Sequence, residues 1–162
     1  MAQAQGIRIG RILGIPIYLD LSWILIFVLI TASLGLQYTK EFANWGTTAQ
    51  WGMGFVTSLL FFGSVVFHEL SHSVVAQHYK IRVISITLFL FGGLARIGRE
   101  PSKAIQEFNI AIAGPLASGF LAAFFFGLRL VFPGYEMVQA VTTQLYWTNL
   151  MLALFNLLPG FP

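Results

Sequence analysis

The chain has 162 residues, 57% hydrophobic and only 9% charged, far from the roughly 45–50% and 25% of soluble domains, which excludes an ordinary water-soluble globule. Its net charge of +3 rests on too few charged residues to form the continuous basic stripe that nucleic-acid binding needs, so the basic excess reads as membrane topology. With no cysteine, disulfides and thiolate metal sites are excluded, and any metal must be held by the three histidines and six acids.

Arg8 and Arg11 precede the first apolar run, and Thr31-Ala32-Ser33 has the small-residue character of a signal-peptide cleavage site. The stretch Gly14-Ile15-Pro16-Ile17-Tyr18-Leu19 is already apolar and long for a signal n-region, so a retained first span over about 16–36, with Asp20 near its start, is the simpler expectation. Residues 37–50 turn polar and carry Trp45, the pattern of a short interfacial loop. A second span follows over about 51–77, with Glu69 and two histidines inside it. From 81 to 97 the period becomes two. Ile84, Ile86, Leu88 and Leu90 fall on one face and Val83, Ser85, Thr87, Phe89 and Phe91 on the other, which predicts a β-hairpin turning near Gly92-Gly93. Open strand edges are costly in lipid, so this hairpin must pack on the helices or line a wet cavity. A third span, about 105–130, places Gly114, Ser118, Gly119 and Ala123 at spacings that let helix backbones approach closely. A fourth covers about 141–158 and stops at Pro159. The fold class is therefore an all-α polytopic membrane protein of about four transmembrane helices with a small β-hairpin insertion, forming a single membrane-embedded domain over 1–162. Basic residues cluster before span one and between spans two and three, so the positive-inside rule puts the N-terminus and the hairpin in the cytoplasm.

The chemistry lies on the second span. His68-Glu69-Leu70-Ser71-His72 is an H-E-x-x-H sequence, whose histidines at i and i+4 leave one face of a helix close enough for both imidazoles to bind one ion. Zinc suits neutral imidazole and carboxylate in an open tetrahedral site, where it lowers the pKa of water to ~7; Glu69 then takes the proton as hydroxide attacks a peptide carbonyl. The competing reading is a set of packed, hydrogen-bonded polar residues or a proton relay, but three titratable groups in adjacent turns of a buried helix need a partner charge, which an ion supplies. His78 lies six residues beyond His72, off the metal face, and reads as an interfacial residue beside Tyr79 and Lys80.

These residues resemble the site-2 protease family of intramembrane metalloproteases. Gly14-Ile15-Pro16 with Ser22-Trp23, Phe67 to His72, Phe91-Gly92-Gly93, Ala113-Gly114-Pro115-Leu116-Ala117-Ser118, and Asn156 to Pro162 resemble five motifs of the family, in its order and over nearly the whole chain. The last resembles the opening of N-x-x-P-x-x-P-x-D-G, whose aspartate the resemblance makes the third zinc ligand; it falls just beyond Pro162, so the 162 residues are expected to be an incomplete, inactive front part of the enzyme. Asp20 stands where many members have a histidine, leaving that position without an assigned role. The resemblance also offers substrate or oxyanion roles. Asn156 is either a donor to a substrate carbonyl or oxyanion or a helix-to-helix hydrogen bond, while Asn149, two turns earlier, is the latter. Gly92 and Gly93 either keep the hairpin edge open for an added substrate strand or simply make the turn. Gly114 and Ser118 read first as packing residues.

The resemblance implies an intramembrane zinc endopeptidase with one Zn2+ per chain, catalytic Glu69 and ligands His68 and His72. It acts, by that resemblance, on a transmembrane segment of a membrane-anchored regulatory protein in the plasma or inner membrane. The alternatives are a zinc protease of the prenyl-protein-processing kind, and a non-catalytic membrane scaffold or regulator of the same fold.

Overall fold

A computed structural model of the chain describes residues 6–90 and 92–158. In chain order they form β1 (Ile7–Ile12), β2 (Ile15–Leu19), α1 (Leu21–Glu41), α2 (Thr47–His78), β3 (Val83–Phe89), β4 (Gly92–Ile97), α3 (Ala104–Val131) and α4 (Glu136–Leu157). Three of the four helices, α1, α2 and α3, are long and apolar enough to cross a membrane. The protein is thus a polytopic α-helical membrane protein with a small sheet inserted among its helices.

The first helix begins later than its apolar pattern predicts. Residues 15–19 are strand β2, and α1 starts after Asp20, whose carboxylate accepts from Ser22 N (2.9 Å) and Ser22 Oγ (2.6 Å) as an N-cap. Those two bonds, the side-chain one first, hold the Asp20 carboxyl below its ordinary range. The same turn is fastened to the sheet, since Asp20 N donates to Leu88 O (2.8 Å) and Leu90 N to Ser22 Oγ (3.1 Å). The position that the family resemblance left without a role therefore joins α1 to β3.

The sheet has four strands in the order β1-β2-β3-β4 rather than the two of an isolated hairpin. A two-residue turn with positive φ at Leu13 (50°) and Gly14 (79°) folds β1 back on β2, the backbone sense that tight hairpins favour. Strands β2 and β3 pair in parallel, Ile17 opposite Ile86 and Leu19 opposite Leu88, with α1 and α2 as the crossover between them. Strand β4 closes antiparallel on β3 and is an edge strand. A bulge between Val83 and Ser85 resets the alternation: Val83 and Ser85 are buried, then Ile86 and Leu88, while Ile84 is exposed and does not share the face of Ile86 as strict alternation predicts. Phe91 lies outside the described residues.

The sheet packs on the C-terminal end of α2 around a core of Ile15, Val65, Ala76, Ile81, Val83, Ile86 and Leu88. Helix α2 ends in a left-handed turn at Lys80 (φ 58°), with Ile81 N reaching back to Ala76 O (3.0 Å). With 32 residues it rises ~48 Å, more than the ~30 Å hydrocarbon core, so part of it projects from the bilayer. Because β1–β2 and β3–β4 share one sheet, Arg8, Arg11, Arg82 and Arg99 gather at one end of the bundle. At the other end Trp45 Nε1 and Asn44 Nδ2 both donate to Glu136 Oε2 (2.7 and 3.1 Å), tying the α1–α2 loop to the start of α4.

Candidate metal centre

His68 is almost wholly buried, and its Nδ1 lies 2.8 Å from Ser118 Oγ on α3. One turn on, His72 Nδ1 lies 2.6 Å from the carbonyl oxygen of Ile110, also on α3. A carbonyl only accepts, so His72 Nδ1 carries the proton and Nε2 is left as a free base. Pro115, inside α3, has no N–H for the Ala111 carbonyl, one residue on from Ile110.

With each Nδ1 engaged, the two Nε2 atoms face each other at 3.1 Å, the rings inclined at 74°. Two imidazole nitrogens each ~2.0–2.1 Å from a tetrahedral zinc stand ~3.3–3.4 Å apart, so the pair fits one ion with little adjustment. The space in front of it is kept by Gly114: a Cβ there would lie inside contact distance of both Nε2 atoms. The donor set suits zinc, being neutral nitrogen with outer partners that fix the tautomer of a ligating histidine. Among the described residues no group of three His, Cys, Asp or Glu comes together, so what the fold presents is a two-imidazole half-site.

Glu69 and His72 open onto a cleft of about 370 Å³ between α2, α3, β4 and the end of α4. The Glu69 side chain lies against the backbone of β4, where a Cβ on Gly93 would strike its Cγ and lie 2.9 Å from its Cδ. The two glycines of the hairpin thus differ in role. Gly92 has the positive φ (128°) of the turn, and Gly93 gives the carboxylate its room. Asn156 lines the same cleft, with its Nδ2 turned back to Leu152 O (2.7 Å). Pro159 to Pro162 lie outside the described residues.

Gly114 and Ser118 are placed by the fold at the imidazoles: one makes space, the other holds His68. Their four-residue spacing, which reads as simple packing, is the signal that puts both on the face turned to His68. His78 ends α2 beside the Tyr79 ring and belongs to neither the imidazole pair nor the cleft. Asn149 is fully buried and donates to Ser64 Oγ of α2 (3.2 Å), the helix-to-helix bond expected of it, and to Leu145 O (2.9 Å).

The sequence model of Peptidase family M50 matches residues 56–146, more than half of the chain and all of the imidazole-bearing segment. The chain belongs to peptidase family M50. This M50 chain is 47% identical to sll0528 of Synechocystis over 98% of its own length and 41% of that protein's. It is 35% identical to the zinc metalloprotease MJ0392 of Methanocaldococcus jannaschii over 97% of the chain and 42% of the relative. The solved site-2 protease from Methanocaldococcus jannaschii superposes with a TM-score of 0.68 at 34% identity, covering 97% of the M50 chain and 66% of that structure. The chain spans about two fifths of the length of these curated relatives. Membership in M50, with site-2 protease likeness in both sequence and fold, sets aside the prenyl-protein-processing alternative.

Proposed function

We propose that this chain is the catalytic front part of an intramembrane zinc endopeptidase that cleaves a transmembrane segment of a membrane-anchored regulatory protein. The observation that carries the reading is the convergence of His68 Nε2 and His72 Nε2 at 3.1 Å with both Nδ1 atoms tied off on α3. His68 and His72 would hold the ion, with the aspartate that the family motif implies as the third ligand; zinc there would supply a water of pKa ~7 and a Lewis acid for a peptide carbonyl.

The chain's own residues do the rest. Glu69, at the wall of the cleft, takes the proton of the attacking water and returns it to the leaving amine. Ser118 and Ile110 keep both imidazoles turned to the ion. The outer edge of β4 takes the backbone of a locally unwound substrate as an added strand, and Asn156, on rotating away from Leu152, donates to its carbonyl. The basic end that carries the sheet faces the cytoplasm of a multi-pass plasma or inner membrane protein, so water reaches Glu69 from that side.

Glu69→Gln in the full-length protein tests this. Cleavage of a transmembrane reporter is expected to fall ~10²–10⁴-fold with zinc content unchanged, and undiminished cleavage rejects the mechanism. The second reading, a metal-free scaffold, draws on the same 3.1 Å, which also suits a hydrogen bond from His68 Nε2–H to His72 Nε2. Elemental analysis of the purified parent separates the two.

A further inference from the structure

Ser73 has a hydroxyl that the mechanism does not use. Ser58, Ser64 and Ser71, on the same helix, each donate to the carbonyl four residues back, at 2.8, 3.1 and 2.8 Å. Ser73 does not: it is 1% exposed, its Oγ has no hydrogen-bond partner, and it lines the cleft that holds Glu69. A buried hydroxyl left unpaired is costly. The same cleft is lined by Ala76, Ala95, Ala111 and Ile110 together with the polar Glu69, His72 and Asn156.

We propose that Ser73 is the specificity-determining floor of a side-chain subsite, selecting a substrate residue with a small hydroxyl side chain, serine or threonine, over its apolar counterpart. The inference rests on the protease reading above and adds the substrate chemistry. Ser73 lies one helical turn, ~6 Å, beyond Glu69, and an extended strand rises ~3.3 Å per residue, so the selected residue sits within about two positions of the scissile bond. Ser73 is too recessed for a substrate backbone to reach, whereas β4 offers that backbone its own edge. Only a small side chain, entering from the cleft, can approach a residue so nearly closed off. Sites built to hydrogen-bond a substrate group reject analogues that lack it, because the site's own polar atom is then left unpaired.

The test uses binding, so that it does not depend on turnover. The full-length Glu69→Gln protein in nanodiscs is titrated with a fluorescent alanine–leucine transmembrane peptide and with copies in which one serine is walked along the segment. At one position the serine peptide is expected to bind about tenfold more tightly than its alanine parent. Adding Ser73→Ala is expected to bring that ratio to about one, with zinc content equal in both proteins. No preferred position, a ratio that survives Ser73→Ala, or a parallel loss for both peptides overturns the proposal. Cleavage by the Glu69 protein is scored separately: a serine preference without cleavage refutes the protease reading alone, and cleavage without the preference refutes the role of Ser73 alone.

Discussion

Helices α1 and α2 are similar in hydropathy, 1.8 against 1.5 over their most apolar stretches, yet 17% of that stretch is buried in α1 and 39% in α2. What they bury also differs. On α2 the buried positions include Thr57, Ser58, Ser64, His68 and Ser73, whereas Phe55, Leu59, Leu60 and Phe67 face outward. On α1 the exposed side chains are likewise apolar, Leu25, Val28 and Leu29 among them, but few residues face inward. In lipid, apolar surface gains nothing by being buried, so polar groups mark the inside; α2 packs against both α1 and α3, while α4 leans chiefly on α3 and only lightly on α2.

The largest test of this contrast is Gly114→Ala. An added Cβ displaces the imidazoles from their common point, so zinc binding and cleavage are expected to be lost, while the helix itself gains up to ~1 kcal/mol of propensity. Gly119→Ala, five residues on and facing open space, is expected to leave zinc content unchanged; elemental analysis compares the two. Next is Leu29→Arg on the outer face of α1, where a charge at mid-membrane is expected to cost ~2.5–3.5 kcal/mol in an insertion assay. Inside the bundle, Asn149→Leu removes the bond to Ser64 and is expected to destabilise by ~0.6 kcal/mol, at most ~1.7, in a reversible unfolding measurement. A gain in stability there would show that the buried polar pair serves something other than helix association.

The smallest effect is expected at the Asp20 cap. Its carboxyl is depressed below 3.8, so its contribution is complete above that value and is lost only as the pH falls through the lower, folded-state one. Asp20→Ala should therefore lower the thermal midpoint equally at pH 5 and pH 8, and the difference from the natural protein should shrink only in strong acid.

What the sequence discloses follows from where each constraint lies. Spans are legible because crossing ~30 Å takes ~20 consecutive apolar residues, a local demand. The His-Glu-x-x-His segment is legible because one helical turn brings its imidazoles together. Strands β1 and β2 are hidden because Ile15 to Leu19 read locally as the beginning of a span, and the pairing of β2 with β3 that extends their hairpin into a sheet comes only across two helices. The Ile110 carbonyl that orients His72 belongs to the main chain and has no residue type to betray it. Ser73 and Ser71 look alike in sequence, and only packing distinguishes the hydroxyl that is tied back from the one that is not.

The parallel pairing of β2 with β3 also governs how the protein is made. Leu19 leaves the ribosome well before Leu88, its partner in the sheet, and at ~5–20 residues per second the first hairpin waits on the order of several seconds for it. During that interval the translocon must return the nascent chain to the side from which it started. A molecule with its first helix inverted strands β1 and β2 across the bilayer from their partner, so the sheet closes only where the first two helices have crossed and returned.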